Sequence, residues 1–154
     1  MPDSLVIAST KKRAFAFMID DIVIALLLFV IFYEQLMTIT GHLPTVITKE
    51  SIEIFKQEMN QFSVNNLLLI ITLKILYHTV FIWQNGMTLG KYMMKIKAIS
   101  LLDGENLTLY KSFLRASLRI TSEVVFYLGF LLAFFLPLKQ TLHDKLTHCV
   151  VIDV

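Results

Sequence analysis

Residues 14–33 read AFAFMIDDIVIALLLFVIFY, an apolar run of bilayer length interrupted only by the adjacent carboxylates Asp20 and Asp21. About 20 such residues, each rising 1.5 Å in an α-helix, cover a hydrocarbon core about 30 Å thick. Two further runs share this character: VNNLLLIITLKILYHTVFIW over 64–83 and ITSEVVFYLGFLLAFFLPL over 120–138. In lipid every backbone polar group needs a partner inside the chain, and three strands cannot close a barrel, so each run is expected to be helical. The first begins late, behind Lys11-Lys12-Arg13, and has no small-residue cleavage site. It is expected to stay in the chain as a span and not to act as a cleaved leader.

Composition points the same way. Of 154 residues 56% are hydrophobic and 17% charged, with a mean hydropathy of +0.68. Soluble domains carry roughly 25% charged residues, and one of this size would have more apolar surface than it could hide. The length suits a single domain, residues 1–154. A net charge of +2 and the absence of a basic arm give no support to nucleic-acid binding. Cys149 is the sole cysteine, so no internal disulfide can form. No internal repeat stands out. The expected fold is an all-α membrane protein with about three transmembrane segments, the third bent or re-entrant near Gly129. A small cytoplasmic subdomain is expected from residues 84–119 and 139–154.

Basic residues orient the chain. Lys11, Lys12 and Arg13 precede the first span, and residues 84–119 hold Lys91, Lys95, Lys97, Lys111, Arg115 and Arg119. Residues 34–63 hold only Lys49 and Lys56, against four glutamates. Cytoplasmic loops collect lysine and arginine, so the amino terminus and 84–119 are expected inside, in a multi-pass inner-membrane protein. Ile52, Phe55, Met59 and Phe62 predict an amphipathic helix in the outer connection. Thr108 is expected to cap a helix whose stripe Lys111, Arg115 and Arg119 lies against anionic headgroups. Cys149–Val154 reads as a short strand whose natural partner is Met94–Leu101, which favours an inside carboxyl terminus.

Three local patterns resemble the RDD family of small bacterial membrane proteins. They are Arg13-x6-Asp20 at the start of the first span, Gly86-Met-Thr88-Leu-Gly90-Lys91 after the second, and Leu142-His143-Asp144-Lys145 near the end. Leu89 stands where proline is usual in the family, and Asp21 is an extra carboxylate beside the expected one. The resemblance covers nearly the whole chain. It implies a shared membrane fold and suggests transport, since cation/proton antiport has been attributed to some relatives.

Charges inside apolar spans are costly, at least about 2.5–3.5 kcal/mol each on insertion scales, and mark functional or paired sites. Five occur here: Asp20, Asp21, Lys74, His78 and Glu123. At 1.5 Å per residue Asp20 and Asp21 lie roughly 9–10 Å deep, Lys74 roughly 13–14 Å, His78 roughly 7–8 Å and Glu123 roughly 4–5 Å. All fall in the inner half of the bilayer and are expected to converge on one polar pocket. Three readings stay open: pairing that only fixes helix register, with Asp20 on Lys74 or Arg13; a proton or cation site of Asp20, Asp21 and His78; or an anion or lipid headgroup held by Arg13, Lys74 and Lys91.

Other patterns carry less. The loop Gly86–Lys91 has three residues between its glycines where a phosphate loop has four, and Tyr92 replaces the magnesium-binding hydroxyl. Gly90 there is expected to permit a tight turn, with Lys91 reaching a lipid phosphate or a helix carbonyl. His143 and His148 are spaced i, i+5, which separates their imidazoles on a helix, so no metal is expected. Asp144 is expected to bond loop backbone or an arginine of the stripe. No nucleophile elbow is present, and no enzymatic activity or cofactor is expected. The leading expectation is a transporter exchanging monovalent cations for protons through buried carboxylates. Arg13, Lys74, Glu123 and Asp144 would set charge pairing and gating. Three helices enclose little space, so a homo-oligomer is expected, testable by crosslinking in native membranes. The rival is a non-transporting adaptor that organises lipids or assemblies through its basic face.

Overall fold

The computed structural model describes residues 6–42, 48–124, 132–133 and 135–154. Helix α1 spans Thr10–Ile31, opened by Ser9, whose hydroxyl accepts the Lys12 amide. A short α2, Tyr33–Gly41, follows, then α3, Lys49–Asn65, and α4, Leu67–Asn85. The sequence predicts one helix in the outer connection and the chain makes two; Phe32, buried between α1 and α2, meets Phe62 of α3 edge-on with ring centroids 5.2 Å apart.

At 22 and 19 residues, α1 and α4 run roughly 33 Å and 28 Å, enough to cross a bilayer core. Their apolar windows average hydropathies of 2.6 and 1.7, yet only 17% of each is buried. Leu26, Val30, Leu68 and Leu76 are among the large apolar side chains left uncovered. Such all-round apolar surface suits lipid and not water.

The ordered core lies at one end of these helices. Gly86, in the left-handed region at φ 70°, ends α4 and leads to α5, Leu89–Met93, capped by Thr88. Strand β1, Ile96–Ser100, then α6, Leu109–Val124, α7, Leu142–Leu146, and β2, Cys149–Asp153, complete the chain. The strands pair antiparallel, from Ile96 opposite Asp153 to Ser100 opposite Cys149, as the alternating pattern predicts. The fold is therefore mostly helical, with a small sheet added. Ile7 bridges Ile152 and the Ala8 amide donates to the Val151 carbonyl, so residues 6–8 cover the free edge of β2. Ala8, Ala16, Ile82, Ile96, Ala98, Leu107, Cys149 and Val151 form the core beneath.

Among the described residues two helices, not three, are long and apolar enough to span. Of the third expected run, Ile120–Val124 continues the amphipathic α6; most of the remainder, with the bend expected at Gly129, lies outside the described residues. One expectation is corrected: the chain does contain an internal repeat. Thr88, Leu89, Lys91, Lys95 and Ala98 match Thr141, Leu142, Asp144, His148 and Val151 at a constant offset. In both units a threonine caps a five-residue helix, a left-handed residue (Lys95 at φ 52°, His148 at φ 51°) turns the chain, and a strand follows. The equivalent residues Ala98 and Val151 face each other in the ladder, so the units are related by a local twofold axis.

Candidate functional site

Asp20 is completely buried where α1 meets the loop after α4. Its Oδ1 accepts the Tyr77 hydroxyl at 2.8 Å and the Gly90 amide at 2.9 Å; its Oδ2 accepts the Thr88 hydroxyl at 2.6 Å. The approach needs glycine at 90: a Cβ there would run into the Ala16 carbonyl and lie 3.0 Å from the Asp20 carboxyl carbon. The Lys91 ammonium stands 3.9 Å from Oδ2 and donates to Thr88 Oγ1 at 3.4 Å. Lys91 is only 7% exposed. It turns inward, onto Asp20 and Thr88, and does not extend to the membrane surface. Burial, with Arg115 and Arg119 nearby, holds this ammonium down to about 7 despite Asp20 and Asp144.

Around Arg119 a second group forms. Its Nε donates to Glu123 Oε1 at 3.2 Å, and Nη2 lies 3.6 Å from Asp21 Oδ1. Glu123 also takes the Lys74 ammonium at 2.5 Å, so Lys74 pairs there and not with Asp20. His78, buried, sets Nδ1 3.5 Å from Arg119 Nη1, and the guanidinium covers the Phe17 ring at 4.6 Å.

Asp144 centres the third group. Arg115 donates to its Oδ1 through Nε at 3.0 Å and Nη2 at 2.6 Å. Arg13 Nη1 reaches Oδ2 at 3.4 Å, and the Thr141 amide donates to Oδ2 at 3.3 Å in a capping box. Arg13 also donates to the carbonyls of Lys139, Val151 and Ala8, tying α1 to both ends of the chain. Burial alone would raise the Asp144 carboxyl; Arg115 overcomes it, with help from Arg13, and holds it well below the usual carboxylate range. Burial keeps the neighbouring His143 imidazole neutral, down to about 3, and the Cys149 thiol protonated, up to about 11.

The expected single pocket is thus three linked groups. Asp20 and Asp21, neighbours on one helix, point to different partners because successive residues diverge by about 100°. Asp20 is the enclosed one; the Asp21 side chain is 37% exposed. The basic stripe is also corrected: Arg115 and Arg119 are buried on carboxylates and do not form an exposed face along the membrane surface. Gly86 works as a turn, its carbonyl accepting the Ala98 amide at 2.8 Å. Tyr77 and Thr141 went unnoticed in the sequence; the hydroxyl of Tyr77 in an apolar helix was the available signal for the first.

No curated protein and no solved structure matches the chain. The model of the RDD family matches residues 7–148, from the segment that pairs with β2 to the residue before that strand. That match takes in Asp20, the Gly86–Lys91 loop and Asp144 together, and the chain is a membrane-associated member of the RDD family.

Proposed function

We propose that this chain is a multi-pass carrier of the inner membrane that exchanges a monovalent cation for a proton at the Asp20–Lys91 pair. The observation that carries this reading is the company Asp20 keeps. A fully buried carboxylate sits among the Tyr77 and Thr88 hydroxyls, and its cationic partner stands at 3.9 Å without a direct hydrogen bond. With Lys91 protonated, its ammonium offsets the carboxylate. Once that proton leaves, Asp20 and the hydroxyl oxygens of Thr88 and Tyr77 form the hard oxygen set that alkali cations prefer. One cation enters as one proton departs, and the buried charge is unchanged. Lys91 takes the proton-partner role that the sequence suggested for His78, which faces Arg119 instead.

The arrangement supports a cytoplasmic subdomain. Residues 6–9, 86–108 and 139–154 gather at one end of α1 and α4, together with the basic residues that mark a cytoplasmic face. The adaptor reading rested on an exposed basic stripe, and Arg115 and Arg119 are buried.

Everted vesicles from an antiporter-deficient host test the proposal. Wild type should show sodium-, potassium- or lithium-dependent proton flux, and Asp20→Asn none at matched protein levels. Absence of wild-type flux for all three cations would overturn it.

A further inference from the structure

Between α1, α5, α6 and α7 lies a cavity of about 280 Å³. Four cations line it, Arg13, Lys91, Arg115 and Arg119, against one carboxylate, Asp144, which already engages two of them. The wider buried network sets five cations (these four and Lys74) against Asp20, Asp21, Glu123 and Asp144. An uncompensated charge in a low-dielectric interior is costly, and an anion in the cavity would balance it. Donors are available for one. Arg119, 5% exposed in its side chain, has an Nη2 that makes no hydrogen bond among the described residues, its ionic partner being the Asp21 carboxylate at 3.6 Å. Guanidinium groups suit phosphate oxygens by geometry as well as charge.

The α1 side of the remaining wall is largely apolar and leads outward. Phe17 and Met18 of α1 line the cavity, and Met18 is 57% exposed on a helix of spanning length. The volume is near the lower end of ligand pockets, roughly 300–1,000 Å³, too small for a whole lipid but ample for a headgroup. We infer that the cavity binds the phosphate headgroup of an anionic phospholipid, whose acyl chains leave past Met18 along α1. The inference stands on the cavity and not on cation exchange, although Lys91 joins the two sites. A bound headgroup would hold that ammonium charged and so oppose cation entry.

Native mass spectrometry of the full chain, released from detergent with added phosphatidylglycerol or phosphatidylcholine, tests this. One phosphatidylglycerol per chain should be retained, with about tenfold preference over phosphatidylcholine. Arg119→Gln should erase the preference. Met18→Trp, which plugs the mouth and leaves the ionic network alone, should remove retention from a normally folded chain. Equal retention of the two lipids, or undiminished retention by Met18→Trp, would overturn the inference. Displacement of the lipid by millimolar glycerol phosphate would also overturn it, by assigning the cavity to a soluble anion. Retention without any cation-dependent flux would uphold this site while the exchange proposal fell; flux without lipid preference would do the reverse.

Discussion

Asp20 and Asp144 are buried to the same degree, and each anchors one unit of the internal repeat, Asp20 from α1 and Asp144 from within the unit. Their partners differ in kind. Asp144 is clamped by two guanidiniums, one of them donating twice to a single oxygen, and guanidinium stays protonated in proteins. Asp20 is held by two hydroxyls and an amide, with a lysine ammonium standing off at 3.9 Å. The repeat makes the contrast sharper, because Lys91 and Asp144 are equivalent positions carrying opposite charge. In the first unit the loop helix supplies the cation and α1 the carboxylate. In the second, the loop helix supplies the carboxylate, and α1 and α6 the cations. Burial alone therefore does not make a carboxylate functional; a partner that can give up its proton does. The Asp144 group serves as a fixed clasp joining α1, α6 and β2, and the Asp20 group is the one proposed to exchange.

The largest effect should come from breaking the clasp. Asp144→Asn leaves Arg13 and Arg115 buried without their counter-charge and should cost about 3–5 kcal/mol of stability, seen as a fall in thermal midpoint and folded yield in detergent. If Asp144→Asn instead kept full stability and lost only flux, the roles given to the two carboxylates would be exchanged. On the other side of the comparison, Tyr77→Phe removes one hydrogen bond to Asp20 and no charge. It should cost only about 0.5–1.5 kcal/mol and leave the chain folded, while weakening cation binding in a titration. A loss as large as that of Asp144→Asn would mean that Asp20 is a clasp as well.

Much of this was legible in the chain itself, for local reasons. The runs at 14–33 and 64–83 declare helices of spanning length because hydropathy and length are properties of contiguous residues, and α1 and α4 appear within a few positions of them. The pairing of β1 with β2 was readable from turn signals and short apolar strands. The i, i+4 spacing of Lys111, Arg115 and Arg119 correctly put them on one helix face, but spacing does not say which way a face turns. That depended on Asp144 and Asp21, distant in sequence, and the stripe went to the interior where those carboxylates wait. Arg13-x6-Asp spacing marked Asp20 over Asp21, but which of the two is enclosed followed only from Gly90, which fixes the side of α1 that the loop covers. The repeat escaped notice because few residues besides Thr-Leu are identical between its units, and its central charge is reversed.

The exchangeability of the Asp20 site is tested most directly by measuring cation affinity of the purified chain against pH. Lys91 titrates near pH 7, and burial is the main cause. Below that pH the cation must displace a bound proton, so its apparent affinity should rise about tenfold per unit as pH approaches 7, then level off. Lys91→Met should flatten that profile. A cation affinity independent of pH, or an unchanged profile in Lys91→Met, would contradict exchange at the Asp20–Lys91 pair.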